Sequence, residues 1–239
     1  NVSAGGVVSA TSISGGTLNV DSGGTADAID ALAPSGTLKV ASAGTAHAAS
    51  VGSGFSGAMN VASGGTVSGV SVGNNGTLNV SSGGVVSALT INDPNDPNVG
   101  ATANILSGGA VDGTTKIDGG QLILDAGAMF EPKAKLTIMN TGWLVLEQDS
   151  FKGTIKDFGG SDNLDLAKIR FIGQEPDATA ATFTQTSGAS GLLQVAQGSH
   201  VIDLHLTGTY TTANFALQSD GVHGTWVSFV PNASLAGHG

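Results

Sequence analysis

Leu18-Asn19-Val20-Asp21-Ser22-Gly23-Gly24-Thr25 decides the fold, because the chain keeps returning to it. It comes back as Leu38-Lys39-Val40-Ala41-Ser42-Ala43-Gly44-Thr45 and as Met59-Asn60-Val61-Ala62-Ser63-Gly64-Gly65-Thr66. Leu78-Asn79-Val80-Ser81-Ser82-Gly83-Gly84-Val85 and Ala103-Asn104-Ile105-Leu106-Ser107-Gly108-Gly109-Ala110 follow. A degenerate copy runs Leu122-Ile123-Leu124-Asp125-Ala126-Gly127-Ala128, and a last one begins at Leu144-Val145-Leu146. The residue after the leading apolar position falls at 19, 39, 60, 79, 104, 123 and 145, in steps of 20, 21, 19, 25, 19 and 22. The long step contains Asn92-Asp93-Pro94-Asn95-Asp96-Pro97-Asn98, whose Asx and Pro residues predict an inserted turn. A fixed period near twenty residues is the mark of a stacked repeat.

The apolar and polar residues of each unit alternate, which predicts strands rather than helices. Gly-Gly and Asn-Gly pairs between them supply the positive φ that tight turns need. A two-strand unit this short cannot bury its own face and has to stack on its neighbours. The expected fold class is all-β: a parallel β-solenoid with one repeat per coil. About seven coils at a spacing of about 4.8 Å make a rod about 35 Å long. It covers residues 1–151, and a β-rich C-terminal region, either a cap or irregular coils, covers 152–239.

Stacking in register turns the repeats into columns. Leu18, Leu38, Met59, Leu78, Ala103, Leu122 and Leu144 form one inward column, and the residues two positions on form a second. The residues between them point outward, since strand side chains alternate. That column reads Asn19, Lys39, Asn60, Asn79, Asn104, Ile123, Val145: an asparagine-rich ladder with an apolar end. Stacked amides can hydrogen-bond along the axis. Two outward aliphatics on adjacent coils predict a cover, expected from residues near Phe151 to Phe171.

Composition narrows the function. Of 239 residues 38 are glycine, with no three-residue period, which excludes collagen. Hydrophobic content of 40% with only 11% charged residues is the reverse of ordinary disorder. No stretch is long and apolar enough for a transmembrane helix, and no signal-peptide pattern opens the sequence. Cysteine is absent, which excludes disulfides and thiol chemistry. A net charge of −10 argues against nucleic acid as a partner. Seven of the eight basic residues lie between Lys116 and Arg170, and ten of the eleven aromatics lie from Phe130 onward, with Phe55 the exception. The core chemistry therefore changes part-way along the chain.

Over residues 1–128 the x-Val-x-Ser-Gly-Gly-Thr element resembles the repeats of self-associating autotransporter adhesin passengers of the AIDA and antigen 43 type. The resemblance implies a right-handed β-helix shown at the surface of a Gram-negative bacterium, in adhesion or aggregation, with Ser or Thr glycosylation in some members. The segment from Gly153 to Leu166 resembles the C-terminal regions of large secreted bacterial proteins, calcium-repeat proteins among them.

Each candidate for chemistry has a plainer reading. Gly159-Gly160-Ser161-Asp162-Asn163-Leu164-Asp165 is half of a calcium nonapeptide, in which Asp157, Asp162 and Asp165 could share one ion; a solvated turn explains it as well. Asp93 and Asp96 fit a turn. Asp203 and His205 share a strand face and His200 takes the other, without a third zinc ligand. His47, His223 and His238 have no partner pattern. Asp27 and Asp30 are the nearest thing to a catalytic carboxylate pair and could cooperate only across a bend. Trp143, Tyr210 and Trp226 suit a core or cap as well as a sugar platform. The expectation is a non-catalytic, secreted or cell-surface passenger segment without a cofactor. It would use Asn19, Asn60, Asn79, Asn104, Ile123 and Val145 as an interaction face for other copies of itself, or for host or cell-surface glycans or proteins. The alternatives are a stalk or carbohydrate-binding module of a larger secreted enzyme, or a β-helical polysaccharide-degrading enzyme.

Overall fold

The computed structural model describes residues 1–31, 35–52, 56–93, 100–174 and 176–231. Phe55, Asp96 and His238 lie outside them, as does most of the Asn92–Asn98 turn. The early strands are β1 (Val7–Ser12), β2 (Thr17–Val20), β3 (Thr25–Ala31), β4 (Thr37–Val40), β5 (Thr45–His47) and β6 (Ser50–Val51). Next come β7 (Gly57–Val61), β8 (Thr66–Val72), β9 (Gly76–Val80), β10 (Val85–Asp93), β11 (Thr102–Ile105) and β12 (Ala110–Gly119). Then follow β13 (Gln121–Leu124), β14 (Met129–Phe130), β15 (Lys135–Met139), β16 (Trp143–Leu146), β17 (Thr154–Lys156) and β18 (Asn163–Leu166). The chain closes with β19 (Ala180–Ser187), β20 (Ser190–Gln197), β21 (His200–Thr207), β22 (Phe215–Ser219) and β23 (Thr225–Phe229).

Two sheets run along the rod. Sheet A has the order β2-β4-β7-β9-β11-β13-β16-β18-β23-β22, and sheet B follows β1-β3-β5-β8-β10-β12-β15-β17-β21-β20-β19. The chain crosses from one sheet to the other in every repeat, so sequence neighbours never pair within the stack. This is the parallel β-solenoid. Leu18, Leu38, Met59, Leu78, Ala103, Leu122, Leu144 and Leu164 occupy one register position, as the repeat spacing requires. From Leu38 onward every one of them is fully buried. Val20, Val40, Val61, Val80, Ile105, Leu124 and Leu146 are buried two residues further on. A Leu or Val side chain removed from water contributes about 1.5–3 kcal/mol, and the two columns are the spine of the core.

Left-handed residues make the corners. Ala10, Ala28, Ala48, Gly69, Ala88 and Gly113 all have φ between 50° and 78° at equivalent points of sheet B. Each shifts the strand's alternation by one, so that Ala26 and Ile29 both face inward on either side of Ala28. The bend splits the sheet B segment into two arms. At the Gly-Gly corner the two glycines have different reasons. Gly108 adopts φ 75°, while a Cβ on Gly109 would stand 2.5 Å from the Val80 carbonyl oxygen of the previous coil. The same corners are tied along the axis by peptide hydrogen bonds of 2.7–3.0 Å, from Gly5 through Gly23, Ala43, Gly64, Gly83 and Gly108 to Gly127.

Parallel stacking runs past residue 151, to Leu166. β17 pairs with β15 and β18 with β16, which adds a further coil. The chain then changes habit. β21 adds in parallel to β17, but β20 and β19 follow antiparallel, and β23 and β22 add antiparallel to β18. These hairpins close both sheets at this end. Their core is aromatic: Phe183 meets Tyr210 at 5.4 Å and Phe215 at 5.6 Å, and Phe158 stacks on Phe215 at 6.2 Å.

Candidate functional site

The outward face of sheet A carries an ordered ladder of amides derived from the repeat. Asn79 Nδ2 donates to Asn60 Oδ1 at 2.9 Å, and Asn104 Nδ2 donates to Asn79 Oδ1 at 2.9 Å. At the N-terminal end Asn19 Nδ2 donates to Asn1 Oδ1 at 2.8 Å. Lys39 interrupts the run because an ammonium cannot accept. The three central asparagines are half-buried, and the middle one uses one N–H and its oxygen on its two neighbours. That leaves a fixed row of amide positions towards solvent. Thr17, Thr37, Thr77 and Thr102 stand two residues before the ladder residue in their strands, on the same face.

Ile123 and Val145 continue the column, and Val145 is only 7% exposed. The expected cover from residues near Phe151 to Phe171 is not what the structure shows. Phe151 and Phe158 are buried in the core instead, Phe151 against Phe130 at 4.9 Å. On its own face Val145 has Ile123 and Asp165 as cross-strand neighbours and Trp143 two residues back along the strand; Trp226 pairs with Asp165 one strand further on. The two indole rings meet edge to face at 5.0 Å. The aromatic pair comes from joining a coil to a hairpin, a contact between residues 83 positions apart.

The three aspartates that suggested calcium differ in burial and in hydrogen-bond partners. Asp157 is exposed, in the left-handed region at φ 56°. Asp162 is buried, with Oδ2 accepting from the Gly159 N–H at 2.9 Å while its own N–H donates back to the Gly159 carbonyl at 3.0 Å. This closes the half-repeat as a turn, and burial pushes the Asp162 carboxyl up to about 6. Asp165 stands on the outer face of β18. Its carboxyl is also pushed up to about 6, by burial first and by nearby Asp220 and Glu147; the Trp226 indole opposes the shift. Among the described residues, no group of three or more His, Cys, Asp or Glu is arranged to hold a metal ion.

The remaining polar candidates are dispersed over the molecule. Asp93 is buried and accepts from the Ala101 N–H at 3.1 Å, which anchors the start of the inserted turn. Asp27 and Asp30 fall on the two arms either side of the Ala28 bend. His47 Nδ1 meets Ser68 Oγ on the next coil at 2.6 Å. Asp203 accepts from Gln194 at 3.0 Å, with His205 exposed on the same face of β21. Tyr210 packs in the aromatic cap, and its hydroxyl is pushed up to about 12, mainly by burial.

Three features escaped the sequence reading. A column of exposed serines (Ser22, Ser42, Ser63, Ser82, Ser107) runs along the turn between the two sheets. Two clefts of about 630 and 500 Å³ adjoin where this turn gives way to longer loops; Pro132, Asp149, Ser150 and Lys152 line both. Lys116, Lys135 and Lys156 share the outer face of sheet B. The last had a partial signal: their steps of 19 and 21 residues fall within the range of the repeat, although the register pairs Lys116 with Thr137 and Lys135 with Thr154.

The architecture is found among solved structures. One is the crystal structure of a TibC-catalyzed hyper-glycosylated fragment of TibA, with a TM-score of 0.50 and 24% sequence identity. The match covers 72% of this chain and 63% of that one, so the chain spans under two thirds of the fragment it resembles. The likeness is one of fold. No family model and no curated protein sequence matches the chain.

Proposed function

We propose that this chain is a non-catalytic segment of a secreted or surface-displayed bacterial passenger that acts in adhesion or self-association. The observation that carries the reading is the ordered outer face of sheet A, where Asn60, Asn79 and Asn104 are held in fixed amide geometry. Pre-ordered polar groups lose little side-chain entropy on contact, so a repetitive face can bind a repetitive partner. The repeats resemble those of autotransporter adhesins, and the solved structure of like fold is a hyper-glycosylated fragment. By the same comparison the exposed serine column would serve this chain as a row of glycan acceptors, one on each of five successive coils.

The test is display of the chain on a bacterial surface through a membrane anchor. Displaying cells should settle faster than anchor-only cells or adhere to a host-cell layer, and Asn60→Asp with Asn79→Asp and Asn104→Asp should abolish the effect. Unchanged settling and adhesion of the displaying cells would refute the reading.

A further inference from the structure

The outer face of sheet B changes character along the rod. On the early coils the column reads Asp30, Ser50, Ser71, Thr90. From β12 it reads Lys116, Thr137, Lys156, Thr207. The neighbouring column reads Thr114, Lys135, Thr154, His205. The two columns interleave. Lysines and threonines alternate like the squares of a board, about 4.8 Å apart across the strands and about 7 Å apart along them. Lys135 and His205 are exposed, and Lys116, Thr137, Thr154 and Lys156 are partly exposed. The residues between them, Thr115, Leu136 and Ile155, are buried, so the platform rests on a packed core.

We infer that this face of β12, β15, β17 and β21 is a docking surface for an unbranched anionic polysaccharide. The chain carries a net charge of −10, yet places three of its eight cationic side chains on one flat array. Such a patch draws a polyanion against the field of the rest of the molecule. Carboxylates stand close by: Asp149 and Asp203 at the rim, and Asp118, which takes up part of the Lys116 charge and leaves Lys135 and Lys156 to carry the patch. Asp118 pairs with Lys116 at 3.2 Å and accepts from Asn140 at 2.6 Å, and Asp203 accepts from Gln194.

The form of the array selects the kind of polyanion. Lys116 and Lys156 are two strands apart, about 9.6 Å, close to the length of a disaccharide. Threonine hydroxyls in the intervening squares both donate and accept, as sugar hydroxyls require. No Phe, Tyr or Trp ring lies among these positions to stack a base, and no helix or ribbon projects to enter a groove. The cleft of about 500 Å³ at the rim, where Lys152 and His205 stand with Asp149 and Asp203, offers a concavity beside the flat array. This inference is independent of self-association: it uses a different sheet and requires neither display nor a second copy.

The experiment is fluorescence anisotropy with a labelled oligouronate, a neutral dextran oligomer of equal length and a duplex DNA, using the full chain. The oligouronate should bind and the dextran should not. Binding should weaken as salt rises from about 0.01 to about 0.15 M and the Debye length falls from about 30 to about 8 Å. Lys135→Gln with Lys156→Gln should lose about tenfold in affinity. Lys135→Arg with Lys156→Arg should retain it, and Lys39→Gln on sheet A should leave it unchanged. Absence of oligouronate binding at low salt, or a Gln pair that binds like the parent while keeping its melting temperature, overturns the inference. Tighter binding of duplex DNA than of the oligouronate overturns it in favour of unselective charge attraction.

Discussion

The coils from β2 to β11 and the hairpins from β19 onward are both β-structure, but they are specified by opposite means. In the coils every strand meets its equivalent one repeat away, so a short local pattern, used again, builds the whole core. Val, Leu, Ile, Ala and Met fill it, and among the described residues no aromatic enters, because the space between sheets is the same at every level. In the hairpins no pattern recurs. Phe158, Phe183, Tyr210, Phe215 and Phe229 come from five separate segments and fill a space that occurs once. A repeat array transmits stability between neighbours, whereas its end must be sealed by something the repeat cannot provide. An open end would be an exposed sheet edge and a template for another chain.

The sharpest way to break this contrast is to charge one coil. Leu78→Asp puts a carboxylate where exposure is nil, at a cost of about 5 kcal/mol or more, and both adjacent coils should lose protection. Asn79→Asp, one residue along on the half-buried ladder, removes one donated hydrogen bond and should cost about 1 kcal/mol. Chemical denaturation of the two variants measures the difference, and comparable losses would mean that the inward and outward columns are not distinct.

Phe215→Ala attacks the cap instead. It empties the centre of the aromatic cluster, at about 3–5 kcal/mol. Hydrogen exchange should then accelerate in β22 and β23 while β7, β9 and β11 stay protected. Uniform loss across the chain would show that coils and cap form one cooperative unit.

A third pair separates space from backbone angle at the corners. Gly109→Ala drives a methyl group into the Val80 carbonyl and should destabilise by about 2 kcal/mol. Ala88→Gly relieves a left-handed alanine at φ 54° and should stabilise by about 0.5–1 kcal/mol, after its larger unfolded-state entropy is counted. Thermal melts decide it, and a destabilising Ala88→Gly would show that the Cβ packs usefully there.

The last effect is in pH. The folded carboxyls of Asp162 and Asp165 lie at about 6, above their ordinary value of 3.8, so the folded protein holds more protons than the unfolded chain between those limits. Their burial as anions destabilises the cap at neutral pH. That penalty should fade as pH drops through about 6 and be gone below about 3.8. Asp165→Asn should flatten part of the slope in melting temperature between about pH 7 and about pH 5, and an unchanged slope would remove Asp165 from the account.

Much of the ladder is legible in the amino-acid sequence, because it needs only the period. With Asn60, Asn79 and Asn104 at equal places in equal repeats, parallel stacking brings their amides together without further information. Val145 is different. It is only 7% exposed, and nothing in the period near residue 145 announces that the neighbouring strand will pair antiparallel with one carrying Trp226, 81 residues later. The lysine platform lies between these cases. Its spacing is written in the chain, but Lys135 sits one column away from Lys116, a fact that only the register of β12 against β15 settles.

The amino-acid sequence alone determined the class of fold, the period, the two inward columns and the outward asparagines. These are nearest-neighbour properties of a repeat, and alternation with glycine punctuation is enough to set them. Only the tertiary structure decided where the parallel stack ends and which strands seal it. It also decided that alanines at Ala28, Ala48 and Ala88 take the left-handed corners and what flanks Val145. Those outcomes depend on contacts between distant segments whose fit is a matter of volume and register, and a single-chain pattern carries no record of either. The left-handed alanines make the point most simply. Their conformation costs about 1–2 kcal/mol each in isolation, and it is imposed by the coils packed above and below.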